Sequence, residues 1–337
     1  MIRPQRMRQA LAALVAIGLL AGCAKKPADQ TLNLSILSAE DQTSMAKVWQ
    51  PLIDDMQAQT GLKVKPFFAS NYTALIEAMR FNQTQIGWFS ALPALEAVNR
   101  ADADVLTRVV TQGGQGVYQS VLIAKKGSGI TLDDVLKCGK RYNFGIGDAR
   151  STSGTLAPMA YVFIPHGIEP NDCFKVVRSA SHQSNLFSVA NGVLDVATNN
   201  TVGLVFARRE NPELAAKVQV IWTSPLLPES SILVRRDLDP RIQAKLKTFF
   251  LNYGKATGAE GDHERAVMKG LDYAGFANAG PEYLDPIRQM DASQALHDAR
   301  KSGDAAKIAA AQKAYDDVTA KVAAHKAAAN EAGPATS

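Results

Sequence analysis

From Leu32 onward, short β-branched runs alternate with amphipathic stretches of helical spacing. That alternation restricts the chain to an α/β architecture in which helices cover mainly parallel sheets. The pattern predicts strands at 32–37, 64–68, Ile86–Phe89 and 106–110. Between them it predicts helices over Gln42–Thr60, stopped by Gly61, over 72–82 and over 93–99.

A buried strand at 118–124 carries the chain out of this first unit, and Thr131 opens a second α/β unit. Strands are expected there at 142–146, 174–177, 196–197 and 218–222, with helices after Ser153 and around 186–190. A strand at Ser231–Arg235 returns, and a helix over 240–253 packs on the first unit. Two lobes joined by two crossing strands then face each other across a cleft, the usual place for a small ligand. The corresponding boundaries are 32–122 with 230–290 for the first lobe and 123–229 for the second. Residues 291–337 are rich in Ala and Lys, with little apolar periodicity beyond Ile308, Ala311, Tyr315, Val318 and Val322. This C-terminal extension reads as a long exposed helix or a frayed tail with a packing or spacing role.

The N-terminus sets the compartment. Arg3, Arg6 and Arg8 precede an apolar run at 11–20 that is too short to span a bilayer. Leu20-Ala21-Gly22-Cys23 follows and matches a bacterial lipobox. Residues 1–22 therefore read as a cleaved export signal, Cys23 as the acylated first residue of the mature chain, and 23–31 as a lipid-anchored linker. The expected location is the periplasm, tethered to the inner or the outer membrane. Setting Cys23 aside leaves Cys138 and Cys173, a matched pair in a compartment where disulfides persist. A bridge between them and two separate buried thiols are both compatible with the sequence.

Composition narrows the function classes. Of 337 residues, 46% are hydrophobic and 20% charged, enough for a substantial core. The formal charge of +5 lies partly in the leader, and the rest alternates with carboxylates without a basic stripe interleaved with aromatics, so no nucleic-acid partner is expected. His166, His182 and His263 fall on different predicted elements with no ligand-type spacing, and no cofactor or metal is expected. There is no Gly-Lys-Ser phosphate loop, so any ATPase must be a separate protein.

The most informative local segment runs from Phe144 through Gly147, Ser151, Thr152 and Ser153 to Gly154: a strand, a turn and a hydroxyl-rich helix start. Three short hydroxyls and the unpaired N–H groups of a helix N-terminus suit a tetrahedral oxyanion. One of these serines simply capping the helix is the competing reading. His182, ahead of another helix, can donate to an anion, and a bound dianion would raise its pKa. The loop Asn199-Asn200-Thr201 follows a buried run, and ligands in open α/β sheets gather at the carboxyl ends of strands.

Several blocks in consistent order resemble the phosphonate-binding proteins of bacterial ABC importers. They are Asn71 to Asn82, Tyr118 to Ile123, the Ser151-Thr152-Ser153-Gly154 turn, Asp195 to Thr201, Val220 to Leu226, and Pro286 to Gln289. The similarity spans roughly Leu32 to Met290. It implies a two-lobed periplasmic binding protein of type II-like α/β fold with two crossover hinge strands, monomeric, closing on a phosphonate- or phosphite-type anion and serving a permease and its ATPase. It also implies that Ser151, Thr152 and Ser153 hold the phosphonate oxygens, that His182 faces the anion, and that Tyr72 and Tyr118 approach from the opposite lobe. Members of this family that take aminoalkylphosphonates have acidic residues facing the ammonium. Here those positions fall on Val202 and Ser230, leaving Glu229 as the nearby carboxylate. A ligand without an amine, such as methylphosphonate or phosphite, is therefore expected to be preferred over 2-aminoethylphosphonate. Two other classes compete: a hydrolase using Ser153 with His182 as base, although Gly-x-Ser-x-Gly is absent, and a sensory lipoprotein read by a membrane partner other than a permease.

Overall fold

The computed structural model describes residues 31–37 and 42–331. The leader, Cys23 and the linker to residue 30 lie outside them. Thirteen strands are present among the described residues. They are β1 (Thr31–Leu37), β2 (Lys63–Ala69), β3 (Ile86–Phe89), β4 (Ala103–Thr111), β5 (Val117–Tyr118), β6 (Ser120–Lys125), β7 (Asn143–Ile146), β8 (Val176–Ser179), β9 (Val196–Asn200), β10 (Val218–Thr223), β11 (Leu227–Pro228), β12 (Ser231–Arg235) and β13 (Tyr273–Ala277). A six-stranded sheet runs β13-β4-β12-β3-β1-β2, a five-stranded sheet runs β10-β6-β9-β7-β8, and β5 pairs with β11 in a short ribbon.

The sheets are mixed rather than mainly parallel. β1 pairs with β3, and β7 with β8 and β9, in parallel, as helical crossovers dictate. β12 instead lies antiparallel between β3 and β4, because it re-enters the first sheet from the second. β6 is antiparallel to both β9 and β10. The strand expected at 118–124 is two strands in different sheets, broken at Gln119. Gln119 Nε2 donates to the Ser224 carbonyl at 2.8 Å, and its N–H to Thr201 Oγ1 at 3.1 Å. β6 belongs to the second sheet throughout, so the first crossing lies at Gln119, ahead of the 122/123 division, and the β5–β11 ribbon (Leu227 opposite Tyr118) forms the double crossing.

The first sheet's core follows the helical period. Trp49, Leu52, Ile53 and Met56, on the helix Gln42–Thr60, are at most 1% exposed and pack on Leu32, Leu34 and Ile36 of β1. Each such burial contributes roughly 1.5–3 kcal/mol. The second sheet is covered by an aromatic cluster in which Phe144 stacks on Phe174 at 4.3 Å between centroids and meets Phe163 edge-on at 5.5 Å. Beside it, Cys138 and Cys173 are joined by a disulfide with 4.5 Å between their Cα atoms, closing a separation of 35 residues. Replacing both by Ser should lower the unfolding free energy by about 4 kcal/mol from loop-closure entropy alone. Denaturant titration of the oxidised and substituted proteins measures it.

The C-terminal extension, read from the sequence as a long exposed helix or a frayed tail, is two helices over its described residues. One helix, Asp285–Ser302, begins before residue 291 and ends at Gly303 in the left-handed conformation; a second runs over Ala305–Glu331. Its anchors are polar as well as apolar, which is why apolar periodicity underestimated it. Leu296 and Val322 are buried, His325 is paired with the buried Asp285 carboxylate, and Asp285 also takes Arg288 at 2.7 Å. The first of these helices bridges the two sheets, packing on the helix Ala91–Arg100 and on the segment 152–163, while its His297 and Lys301 both reach Glu169 at 2.6 and 2.7 Å.

Candidate functional site

Strand ends bring the polar residues together. Tyr72 follows β2, Ser90 follows β3, Ser151 to Ser153 follow β7, His182 follows β8, Asn200 ends β9 and Glu229 follows β11. These ends face one another between the sheets, the arrangement by which open α/β sheets form ligand crevices. The cavity there is about 90 Å³, well below the roughly 300–1,000 Å³ of sites for larger organic ligands.

The Ser151–Ser153 turn has a specific local cause. Ser151 caps the helical segment that starts at Thr152, its Oγ accepting the Gly154 N–H at 2.9 Å. This first turn is π-helical, a form frequent at functional sites. The Gly147 N–H donates to the Gly154 carbonyl at 2.9 Å, and a Cβ on Gly147 would lie 2.6 Å from Gly154 Cα. Two glycines are needed for that approach. Ser120 Oγ fixes the turn from β6 by donating to the Ser153 carbonyl at 2.6 Å.

All six residues singled out from the sequence meet here. His182 Nε2 stands 3.4 Å from both Ser151 Oγ and Ser153 Oγ. The Tyr72 hydroxyl comes from the facing sheet to 3.5 Å from Ser151 Oγ. The Tyr118 hydroxyl lies beside Ser153 and Thr152. Thr152 differs from its neighbours in that its Oγ1 accepts the Leu92 N–H at 2.8 Å, so this hydroxyl oxygen ties the turn to the helix Ala91–Arg100 of the other sheet. Ser151 Oγ and Ser153 Oγ thus both lie beside His182, while Thr152 Oγ1 joins the halves.

Burial governs the protonation states. It drives the Tyr72 and Tyr118 hydroxyls up from their ordinary range, so both remain donors. His182, 9% exposed, is held down to about 4 by burial and is neutral near pH 7. Its Nδ1 has no hydrogen-bond partner among the described residues, and no carboxylate orients the ring as a general base. Arg150, the nearest guanidinium in sequence, is paired with Glu96. No Lys or Arg is among the described residues lining the cavity or the adjoining groove at Ser151, so an anion there meets neutral donors.

Several cavity residues escape the motif reading. Ser90 and Trp88 line the cavity; Ser90 Oγ lies beside the Tyr72 hydroxyl and Trp88 Nε1 beside that of Tyr273, neither with a well-aligned hydrogen bond among the described residues. The strand-end rule would have found Ser90, which directly follows β3. Glu229 is 5% exposed; its Oε1 accepts the Ser230 N–H at 2.9 Å and the Ser230 hydroxyl at 3.0 Å, and burial raises its pKa. Val202, Phe206, Trp49 and Tyr273 make the rest of this wall largely apolar.

Residues 34–284 match the family described as ABC transporter, phosphonate, periplasmic substrate-binding protein. The chain is 41% identical over 263 residues to the phosphonates-binding periplasmic protein of Escherichia coli K12, covering 78% of this chain and 76% of that one. The structure superposes with a TM-score of 0.82 and 34% identity on a binding-protein component of a phosphonate ABC transporter from Pseudomonas aeruginosa, covering 88% of this chain and 99% of the other. It also shares the fold of Prochlorococcus marinus PhnD1, solved with methylphosphonate, at a TM-score of 0.69 and 19% identity over 78% of this chain and 97% of that one. With the family match extending over both sheets and the crossing strands between them, this chain belongs to the periplasmic phosphonate-binding proteins, the substrate-binding components of ABC transporters.

Proposed function

We propose that this protein is a lipid-tethered receptor that captures a phosphonate or related phosphorus oxyanion in the cleft and delivers it to a permease driven by a separate ATPase. The observation that carries this reading is the ring of neutral donors, Ser151, Ser153 and His182 from one sheet and Tyr72 from the other, with no lining cation among the described residues. A ligand held by both halves favours the closed form over the open one, and a permease can then recognise closure. A thermal-shift screen across phosphonates, phosphite, phosphate and sulfonates tests the reading, which fails if only sulfonates, or none, raise the melting temperature. Anchoring through Cys23 predicts that Cys23→Ala moves the protein from the membrane to the soluble fraction of cells; unchanged fractionation would refute the anchor.

The preferred ligand lacks an amine. An ammonium carries three N–H donors. The wall it would meet offers Val202 and Phe206, the Trp88 N–H, itself a donor, the Ser90 hydroxyl, and one carboxyl, Glu229, with Oε1 taken by Ser230 and only Oε2 open. Desolvating a cation against so few acceptors costs more than it returns. Calorimetry should show methylphosphonate or phosphite binding about tenfold more tightly than 2-aminoethylphosphonate; tighter binding of the amine would reverse the assignment.

A further inference from the structure

The cavity wall beyond the serines carries two unsatisfied groups of opposite character. Glu229 Oε2 is enclosed and has no hydrogen-bond partner among the described residues, its sister oxygen being the one that takes Ser230. Trp88 Nε1, a donor only, lies next to the Tyr273 hydroxyl without a well-aligned hydrogen bond. Both residues line the same small cavity, and Tyr273 feels the charge of Glu229 as well as the neighbourhood of Trp88. Strand pairing sets Trp88 of β3 opposite Ile232 of β12, three residues beyond Glu229, so adjoining stretches of chain carry the two groups to this cavity. Buried polar groups left unpaired are costly, so a ligand that satisfies both gains twice.

We propose that this wall selects a short phosphonate bearing a hydroxyl on its carbon chain, the hydroxyl donating to Glu229 Oε2 and accepting from Trp88 Nε1. A hydroxyl combines one donor with two acceptor positions, the complement of that pair. An ammonium reaches one Glu229 oxygen but opposes the Trp88 N–H and leaves its own desolvation unrepaid, and a bare alkyl chain carries no such cost but satisfies neither group. This inference rests on the phosphonate reading of the cleft and deepens it.

Calorimetry with 2-hydroxyethylphosphonate, ethylphosphonate and 2-aminoethylphosphonate tests it on the intact mature protein. The hydroxyl compound should bind at least about tenfold more tightly than the ethyl compound, the discrimination of a site built around a substrate hydroxyl. Trp88→Phe should shrink that ratio several-fold, with thermal melting of the ligand-free variant reporting that it is folded; an unchanged ratio in a folded variant takes the Trp88 N–H out of the contact and overturns the inference. Equal affinity for the ethyl and hydroxyethyl compounds in the unsubstituted protein overturns the inference and leaves the phosphonate reading intact. So does tightest binding of the amine. If none of the three binds, and methylphosphonate and phosphite do not either, the reading of the cleft itself falls with it.

Discussion

Ser153→Ala should weaken phosphonate binding by about tenfold to a hundredfold and leave the fold unchanged. The magnitude is that of one hydrogen bond to a charged group in a cleft shielded from water, about 1.5–3 kcal/mol. The fold is spared because the other two residues of the turn hold it. Ser151 caps the helical segment, Thr152 receives the Leu92 N–H, and Ser153 is fixed through its backbone carbonyl, which Ser120 Oγ engages. Its hydroxyl, 3.4 Å from His182 Nε2, is thus free to serve the ligand. Ser151→Ala is the informative contrast, since it removes a donor and a cap together and should also cost about 1 kcal/mol of stability. Calorimetry for affinity and thermal melting of the ligand-free proteins separate the effects. Undiminished affinity in Ser153→Ala would take this hydroxyl out of the site.

Acid should destabilise the ligand-free protein through His182. The ring is buried neutral, its pKa lowered from 6.5 to about 4. Below the unfolded value the unfolded chain takes up a proton that the folded chain refuses, so stability falls as the pH drops from about 6.5 to about 4 and then levels off. The full loss from this residue is about 3 kcal/mol. Glu229 acts in the opposite sense. Its pKa is raised by burial, so the folded state binds the proton more readily and gains stability as the pH falls through that raised value. Comparing the protein with His182→Gln isolates the histidine, and the variant should lose stability less steeply between pH 6.5 and 4 in denaturant titrations. A saturating phosphonate dianion should flatten the dependence as well, because a neighbouring negative charge raises the histidine pKa. Parallel curves for the two proteins would mean that His182 is solvated and positioned otherwise.

Much of the second lobe's chemistry was visible in the chain itself. Three consecutive hydroxyls between glycines after a strand single out the proposed anion site, and the two cysteines beyond the lipobox were conspicuous by number alone. Harder to see were groups whose role depends on a distant partner. Ser90 is an ordinary residue at a strand end until the facing sheet closes over it. Thr152 looked equivalent to its neighbouring serines, and only the docking of residues 91–100 gives its oxygen a backbone amide. The C-terminal helices lacked a clean apolar stripe because ion pairs through Asp285 and Glu169 carry part of their attachment.

Local sequence determined the elements, the hydroxyl turn and its flanking glycines, since backbone propensity, capping and close approach act within a few residues. Tertiary structure alone decided that the sheets are mixed, that Gln119 breaks the crossing strand, and that Glu229 and Trp88 share one cavity wall. The reason is physical: direction of re-entry, desolvation and the pairing of buried polar groups are set by residues far apart in the chain, and no local pattern encodes them.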